Sequence, residues 1–159
     1  VDLAAKRFDV AVGGVTITPQ HQKMFLFSVP IAQFGKVALV RCGEQNQYDS
    51  LTKVDRIGVR VVENQGGTNQ TFAKQHIHHA QLIIVANNTL PFTYLQDKKA
   101  DVMFTDSIEA VYRQGLHTGL CAVNPTHPYT HEKKAFMFNP SQRVLCDQFN
   151  RWFKAQVPI

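Results

Sequence analysis

Short apolar runs alternate with longer mixed stretches through the middle of the chain. Three of these runs predict strands, at residues 59–62, 81–85 and 100–104. The stretches beside them predict helices, at about 70–79, around 92–96 and from 106 to about 113, with Gly115 closing the last. This alternation indicates βαβ units, which give an α/β fold with parallel strands and right-handed crossovers.

The flanking regions carry two further predicted strands. Residues 8–12 predict a short buried strand that ends at the glycine pair 13–14, and residues 36–41 predict another. Between them, Thr18 suits the N-cap of a short helix whose first residue is Pro19.

The composition is that of a globular chain. Its 159 residues suit one domain or two small lobes, and 44% are hydrophobic while 18% are charged. Eighteen consecutive apolar residues occur nowhere, so no transmembrane helix is predicted. The first residues have neither the apolar core nor the cleavage site of a signal peptide.

Basic residues outnumber acidic ones by 17 to 12, which gives a net charge of +5. They are scattered, and only Lys98-Lys99 and Lys133-Lys134 are adjacent. Because a nucleic-acid groove concentrates its charge on one face, the pattern predicts a solvated basic surface and no nucleic-acid partner. The charge still favours anionic small molecules at long range.

Two loops lie where a ligand site on such a sheet is expected, at residues 64–69 and 105–109. The first contains Gly66-Gly67-Thr68-Asn69 between a strand and a helix, where backbone N–H groups and the helix dipole bind anions. Glycines let a ligand approach the backbone, and the Thr and Asn side chains add hydrogen bonds. The alternative interpretation is a plain turn in which Thr68 or Asn69 caps the helix.

In the second loop, Asp106 and Glu109 stand three residues apart and share one helix face. Two carboxyl groups at the mouth of a cleft can have different roles: one stays ionised, and the more buried one keeps its proton and acts as a general acid. The alternative is a capping box, with Asp106 as N-cap and Glu109 at the third helical position. The segment 13–16 also follows a strand, and it offers either ligand contacts or a turn.

Neither a metal site nor a cofactor site is predicted. Cys42, Cys121 and Cys146 lack zinc spacing, and the sequence allows either one disulfide with a free thiol or three thiols. The three histidines within 76–79 have no adjacent Cys or carboxylate and suit the basic end of a helix. The sequence has no phosphate-binding Gly-Lys-Ser/Thr loop and no Ser-His-Asp or Cys-His signature.

Taken together, these segments resemble the type 2 periplasmic solute-binding proteins. The likeness to their first lobe rests on residues 8–18 and 27–30, and the likeness to their second lobe on 66–69 and 99–110. Within that superfamily the chain is most similar to the cyclohexadienyl dehydratases. The segments that carry this closer likeness are Asn69 after Gly-Gly-Thr, the Thr105-Asp106 to Glu109-Ala110 run, Leu120-Cys121-Ala122-Val123, Glu132-Lys133 and the position of Cys42.

The resemblance implies an α/β fold of two lobes with parallel or mixed sheets and an incomplete lobe 1. Residues 1–35 and 125–159 are then expected to form part of lobe 1, and residues 36–124 lobe 2, in a chain that looks like a fragment. A periplasmic location is also implied, in which Cys42 and Cys121 are the expected disulfide pair. The exposed sheet edges of an incomplete lobe favour association, so a homo-oligomer is one expectation.

The resemblance further implies roles for eight residues. Six of them are expected around one cleft between the lobes: Thr16, His21, Thr68, Asn69, Asp106 and Glu109. Glu109 corresponds to the general acid of the dehydratases, which convert prephenate or arogenate into phenylpyruvate or phenylalanine with loss of water and carbon dioxide. Asp106 corresponds to the partner of a ligand ammonium. The remaining substrate-binding positions are Gly14, Thr16, His21, Gly67, Thr68 and Asn69.

One departure from the family keeps three hypotheses open. His21 stands where the family carries an Arg that clamps the ligand carboxylate. The chain is therefore a dehydratase, an amino-acid-binding component that serves the permease of an ABC transporter, or a degenerate domain that neither binds nor reacts. Glu109 discriminates between the first two, because only an enzyme needs it. Both imply a small carboxylate or amino acid as the partner, and no cofactor.

Overall fold

The computed structural model describes residues 2–157 as a chain of mixed α/β content. In chain order its strands are β1 (Val10–Thr16), β2 (Leu26–Phe27), β3 (Ala32–Phe34), β4 (Lys36–Arg41), β5 (Arg60–Asn64), β6 (Gln81–Val85), β7 (Met103–Asp106), β8 (Leu120–Ala122) and β9 (Glu132–Phe138). Its helices are α1 (Pro19–Gln22), α2 (Leu51–Val54), α3 (Gly67–His76), α4 (Leu90–Gln96), α5 (Ser107–Gly115) and α6 (Arg143–Gln156), and Gln45–Gln47 form a short 3₁₀ helix. No helix within residues 2–157 has the length and apolar character that spanning a membrane requires.

The chain forms two compact units. Unit 1 comprises the residues up to Gln33 together with those from Glu132 onward, and unit 2 comprises Phe34–His131. The expected lobes, 1–35 with 125–159 and then 36–124, remain a prediction about how these units correspond to the lobes of the family.

Unit 2 contains both parallel and antiparallel strand pairs. β5 and β6 pair in parallel, and a parallel bridge joins Val61 to Val102 just before β7. This confirms the predicted βαβ arrangement, with α3 as the crossover from β5 to β6. β4 lies between β7 and β8 and is antiparallel to both, so the arrangement is mixed.

The core of unit 2 consists of two clusters of buried apolar residues that share β4. Ala38 and Val40 belong to one cluster, and Val37 and Leu39 belong to the other. Because successive strand residues point to opposite faces, β4 is buried on both sides. This burial explains the uninterrupted apolar run that predicts the strand.

A disulfide joins Cys42 to Cys121 in unit 2, which confirms the pairing that the resemblance implies. Cys42 directly follows β4, and Cys121 lies on the neighbouring strand β8 opposite Val40. This strand pairing brings the two Cα atoms to 4.8 Å, within the range that a disulfide spans. Cys146, on α6 in unit 1, is a buried free thiol.

Unit 1 is a small antiparallel sheet with one long helix. β9 lies between β1 and β2, and β3 also pairs with β9. Phe149 of α6 packs on Phe136 and Phe138 of β9, with ring centroids 4.8 and 5.9 Å apart. These aromatic contacts attach the helix to the sheet.

The structure corrects the strand predicted at 8–12. β1 continues through the glycine pair to Thr16, and its register against β9 shifts between Ala11 and Val15. Gly13 and Gly14 have φ angles of 139° and 72°, so they allow a bulge where the strand was expected to end. The strand is not buried, because Val12 is 65% exposed.

The boundaries of other predicted elements also differ from the observed ones, as at α3 and β7, whereas the cap of α1 is confirmed. α3 begins at Gly67 rather than near residue 70, directly after the positive-φ residue Gly66. The strand predicted at 100–104 begins at Met103, because the preceding residues form a turn in which Ala100 N donates to Tyr94 O. Thr18 Oγ1 accepts from the N–H of His21 at 3.1 Å, as the N-cap prediction requires.

Candidate functional site

A buried lysine gathers three of the predicted site residues in unit 2. Lys36, the first residue of β4, is 1% exposed. Its Nζ donates to Thr68 Oγ1 at 2.8 Å, to Asn69 Oδ1 at 2.6 Å and to Asp106 Oδ1 at 2.6 Å. An ammonium has three N–H donors, and burying it is costly unless acceptors of this kind satisfy them. These four residues are called the Lys36 cluster below.

The strand arrangement explains how the Lys36 cluster forms. Lys36 lies directly opposite Asp106 in the antiparallel pair of β4 and β7, so the two side chains share a face. Thr68 and Asn69 occupy the first turn of α3, which follows the carboxyl end of β5. The cluster therefore lies where β5 and β7 end, the position at which α/β sheets bind ligands.

The Gly66-Gly67 pair shapes the start of α3. Both glycines have φ near 80°, and a Cβ on either would meet nothing within 4 Å, so the backbone conformation rather than lack of space requires glycine. Gly66 is the N-cap and has no side chain that could cap the helix, and its N–H donates to Gln70 Oε1 at 2.8 Å. The interpretation in which Thr68 or Asn69 caps α3 is therefore wrong, and both side chains bind Lys36 instead.

The capping-box interpretation of Asp106 and Glu109 is also wrong. Asp106 occupies the N-cap position of α5, but its side chain makes no capping bond and pairs with Lys36. Glu109 Oε2 accepts a hydrogen bond from Thr105 Oγ1 at 2.7 Å, and Arg113 Nη2 lies 3.6 Å from Oε1. The Glu109 side chain is 41% exposed. Its carboxyl group is thus oriented by Thr105 and Arg113 and accessible to solvent.

Glu63 is a buried carboxyl group that the sequence analysis did not single out. It lies on β5, is fully buried, and accepts the N–H of Phe104 on Oε1 at 2.6 Å. Its Oε2 is buried with no hydrogen-bond partner among residues 2–157. Burial raises the pKa of Glu63 to about 8, although the Phe104 N–H and the Lys36 ammonium act in the opposite direction. Burial therefore favours the protonated form of Glu63 at neutral pH.

Unit 1 contains the other three predicted site residues and a second buried lysine. Lys134 on β9 is 2% exposed, and its Nζ lies 2.6 Å from Thr16 Oγ1 and 3.3 Å from Glu132 Oε2. His21 lies in α1, and its Nδ1 is buried with no hydrogen-bond partner among the described residues. Gly14 lies in the exposed bulge of β1. That these residues and those of unit 2 line one cleft remains a prediction.

The histidines within 76–79 have other partners than a metal. His76 Nδ1 lies 2.8 Å from Phe72 O, and His79 Nδ1 lies 2.9 Å from Asp55 Oδ2. Across the part of the chain that the structure describes, no three His, Cys, Asp or Glu side chains are grouped so that they could hold a metal ion.

The comparisons with known proteins identify the family. A model of the bacterial extracellular solute-binding proteins, family 3, matches residues 1–157, and the chain belongs to that family. It is 37% identical over 151 residues to the cyclohexadienyl dehydratase of Pseudomonas aeruginosa strain PAO1. The match covers 95% of this chain and 56% of that enzyme, so the chain spans little more than half of its relative.

Two solved structures relate the fold to both a binding protein and an enzyme. An ancestral amino-acid-binding protein, described as a precursor of cyclohexadienyl dehydratase, matches with a TM-score of 0.86 and 28% identity, over 97% of this chain and 65% of that one. An ancestral cyclohexadienyl dehydratase matches with a TM-score of 0.58 and 40% identity, over 97% and 64%. These matches confirm the resemblance and the type 2 periplasmic binding protein fold.

Proposed function

We propose that the protein is a periplasmic dehydratase that acts on a cyclohexadienyl carboxylate of the prephenate or arogenate type. The observation that carries this proposal is the position of Glu109, which lies one helical turn after Asp106 of the Lys36 cluster. The 37% identity to a cyclohexadienyl dehydratase supports the same assignment. A carboxyl group beside a buried ammonium and the start of a helix, whose backbone N–H groups bind anions, suits acid catalysis on a carboxylate substrate.

In the proposed reaction Glu109 is the general acid. Its proton joins the C4 hydroxyl of the ring, and the C–O bond breaks to release water. The bond to the ring carboxylate breaks at the same time, carbon dioxide leaves, and the electron pair of that bond makes the ring aromatic. Glu109 is left as a carboxylate and takes a new proton from solvent, which its 41% exposed side chain allows.

The remaining site residues bind rather than react in this proposal. The N–H groups at the start of α3, beside the Lys36 ammonium, attract a substrate carboxylate. Gly67, Thr68 and Asn69 line this start. Gly14, Thr16 and His21 are proposed to contribute from unit 1, where the buried ammonium of Lys134 donates to Thr16 Oγ1. A homo-oligomer remains a proposal for the state of the protein in solution.

Replacement of Glu109 tests the enzyme assignment. In the full-length protein, Glu109→Gln keeps the side-chain shape but cannot donate the acidic proton, so formation of phenylpyruvate from prephenate should fall at least ~100-fold, with KM little changed. Asp97→Asn, on the exposed turn after α4, is the matched control and should react at the wild-type rate. An unchanged rate in Glu109→Gln would remove the acid role from Glu109.

The alternative function is that of an amino-acid-binding component of an ABC transporter. The TM-score of 0.86 to an ancestral amino-acid-binding protein favours this alternative. A binding protein needs Asp106 and the start of α3 but not Glu109. It would show ligand-dependent thermal stabilisation without consuming prephenate or arogenate. Thermal stabilisation by an amino acid together with absence of turnover in the full-length wild type would therefore decide for the transporter component, whereas absence of both would indicate the degenerate domain.

A further inference from the structure

We propose that the unit 2 site selects carboxylates that carry no amine over the corresponding amino acids. This inference deepens the proposed function and rests on the same site. It departs from the role that the family resemblance implies for Asp106, that of partner to a ligand ammonium. Prephenate and arogenate differ in this way, because prephenate carries a keto group where arogenate carries an ammonium.

The first argument is that Lys36 stands where a ligand ammonium would have to bind. Its Nζ lies 2.6 Å from Asp106 Oδ1, and the side chain is 1% exposed. The ion pair is therefore part of the folded unit rather than a flexible surface contact. A second ammonium that approached the same carboxylate would lie close to Lys36, and like charges at such distances repel strongly in a partly buried site.

The second argument concerns the direction of the hydrogen bonds. Thr68 Oγ1 and Asn69 Oδ1 both accept from Lys36, so their acceptor oxygens are directed to the protein's own cation. The hydrogens that these side chains present elsewhere are donors, the hydroxyl proton of Thr68 and the amide protons of Asn69. Donors suit a carboxylate or a keto oxygen. They do not suit an ammonium, which has only donors itself.

The third argument is the charge balance of the buried groups. Glu63 approaches the cluster from β5, Lys36 from β4 and Asp106 from β7, while β6 carries no titratable residue. Two helices, α3 and α4, pack on β5. The titratable residues of α3 are Lys74, which is exposed, and His76, which lies against Phe72 O. The titratable residue of α4 is Tyr94, and Lys99 lies over its ring. Burial raises the pKa of Glu63 to about 8, so the protonated form prevails at neutral pH and Glu63 adds little negative charge that would attract an amine.

The test compares three ligands that differ only beside the carboxylate. Phenylpyruvate, 3-phenylpropionate and L-phenylalanine carry a keto group, no substituent and an ammonium, respectively. Their dissociation constants for the full-length wild-type protein are measured by calorimetry at pH 7. We expect phenylpyruvate to bind at least tenfold more tightly than phenylalanine, and 3-phenylpropionate to bind more tightly than phenylalanine as well.

A variant then assigns the selectivity to Lys36. Lys36→Met removes the cation and exposes Asp106 to the ligand, so the preference for phenylpyruvate over phenylalanine should fall at least tenfold or reverse. Lys99→Met, at a 61% exposed lysine, is the control and should keep the wild-type preference. Because the ligand series uses the wild type, the inference stays testable even where Lys36→Met does not fold.

Two results would overturn the inference. One is tighter or equal binding of phenylalanine by the wild type, and the other is no binding of any of the three ligands at millimolar concentration. The proposed function fails differently, through absence of prephenate turnover. A protein that binds phenylpyruvate selectively but leaves prephenate unreacted would keep the selectivity and lose the dehydratase assignment.

Discussion

Each unit buries one lysine against a threonine hydroxyl, but the two lysines reach their partners by different routes. Lys134 in unit 1 contacts Thr16, its direct cross-strand neighbour, and Glu132, two residues away on the same strand. Lys36 in unit 2 contacts residues 32, 33 and 70 positions away, on one helix and one strand. The first set follows from one strand pairing, whereas the second requires the whole of unit 2 to be folded.

The two units also differ in how much buried apolar core surrounds their lysines. Both clusters of buried apolar residues lie in unit 2, where the disulfide also lies. Unit 1 relies on the aromatic contacts of α6 and leaves Val12 and Trp152 65% and 58% exposed. We conclude that unit 2 is the better-supported scaffold for chemistry, because a rigid core holds its polar groups in fixed positions.

The largest expected effect comes from removing the disulfide of unit 2. Cys42 and Cys121 are 79 residues apart, and opening a loop of that length costs about 4 kcal/mol in the chain-entropy account. The double variant Cys42→Ser/Cys121→Ser should therefore unfold at lower urea concentration. Far-UV circular dichroism follows the whole chain, and fluorescence of Trp152, the single tryptophan, follows unit 1. We expect the fluorescence midpoint to move less than the dichroism midpoint, and equal shifts would contradict the contrast between the units.

The next largest effect should distinguish the two buried lysines. Lys36→Met breaks a 2.6 Å ion pair in which Lys36 is 1% and Asp106 23% exposed, so we expect a loss of about 2–4 kcal/mol in the free energy of unfolding. Lys134→Met breaks a pair at 3.3 Å between residues of one strand, and about 1–2 kcal/mol is expected. Urea titrations of both variants measure these values, with Lys99→Met as a surface control that should change stability by less than about 0.5 kcal/mol.

The pH dependence of stability tests the buried carboxyl group of Glu63. Its pKa is raised from 4.5 to about 8 on folding, so the folded protein binds more protons than the unfolded chain between these pH values. The stabilisation from protonated Glu63 is therefore complete below about pH 4.5 and is lost progressively as the pH rises to about 8.

Glu63→Gln removes this titration while keeping an oxygen that accepts the Phe104 N–H. Urea titrations of this variant between pH 5 and 8 should therefore show a flatter decline in stability than those of the wild type. Glu44→Gln is the control, because Glu44 pairs with Arg41 at the other end of β4, and the wild-type slope should persist. A decline as steep in Glu63→Gln as in the wild type would show that other groups cause it.

Features that depend on residues close together in the sequence could be predicted from it, whereas contacts between residues far apart in the sequence could not. The cap at Thr18 acts over three residues and β6 is a continuous apolar run, so both are visible locally. Lys36 and Glu63 bind partners up to 70 and 41 residues away, and no local pattern contains that information. The available signals were a lysine at the start of a buried strand and a glutamate directly after an apolar run. The disulfide was implied only by family resemblance.

The smallest predicted effect comes from the substitution His21→Arg, which should increase the affinity of unit 1 for anions. His21 stands where the family carries an Arg, and its Nδ1 is buried with no hydrogen-bond partner within residues 2–157. A guanidinium offers two parallel donors to a carboxylate, whereas a neutral imidazole offers one. If unit 1 contributes to the ligand site, His21→Arg should tighten phenylpyruvate binding by about 1–3 kcal/mol, as a charge-assisted hydrogen bond contributes. His131→Arg, at an exposed histidine, is the matched control for added charge and should change the calorimetric affinity far less. Equal gains in both variants would indicate long-range attraction alone, and the clamp position would then not be at residue 21.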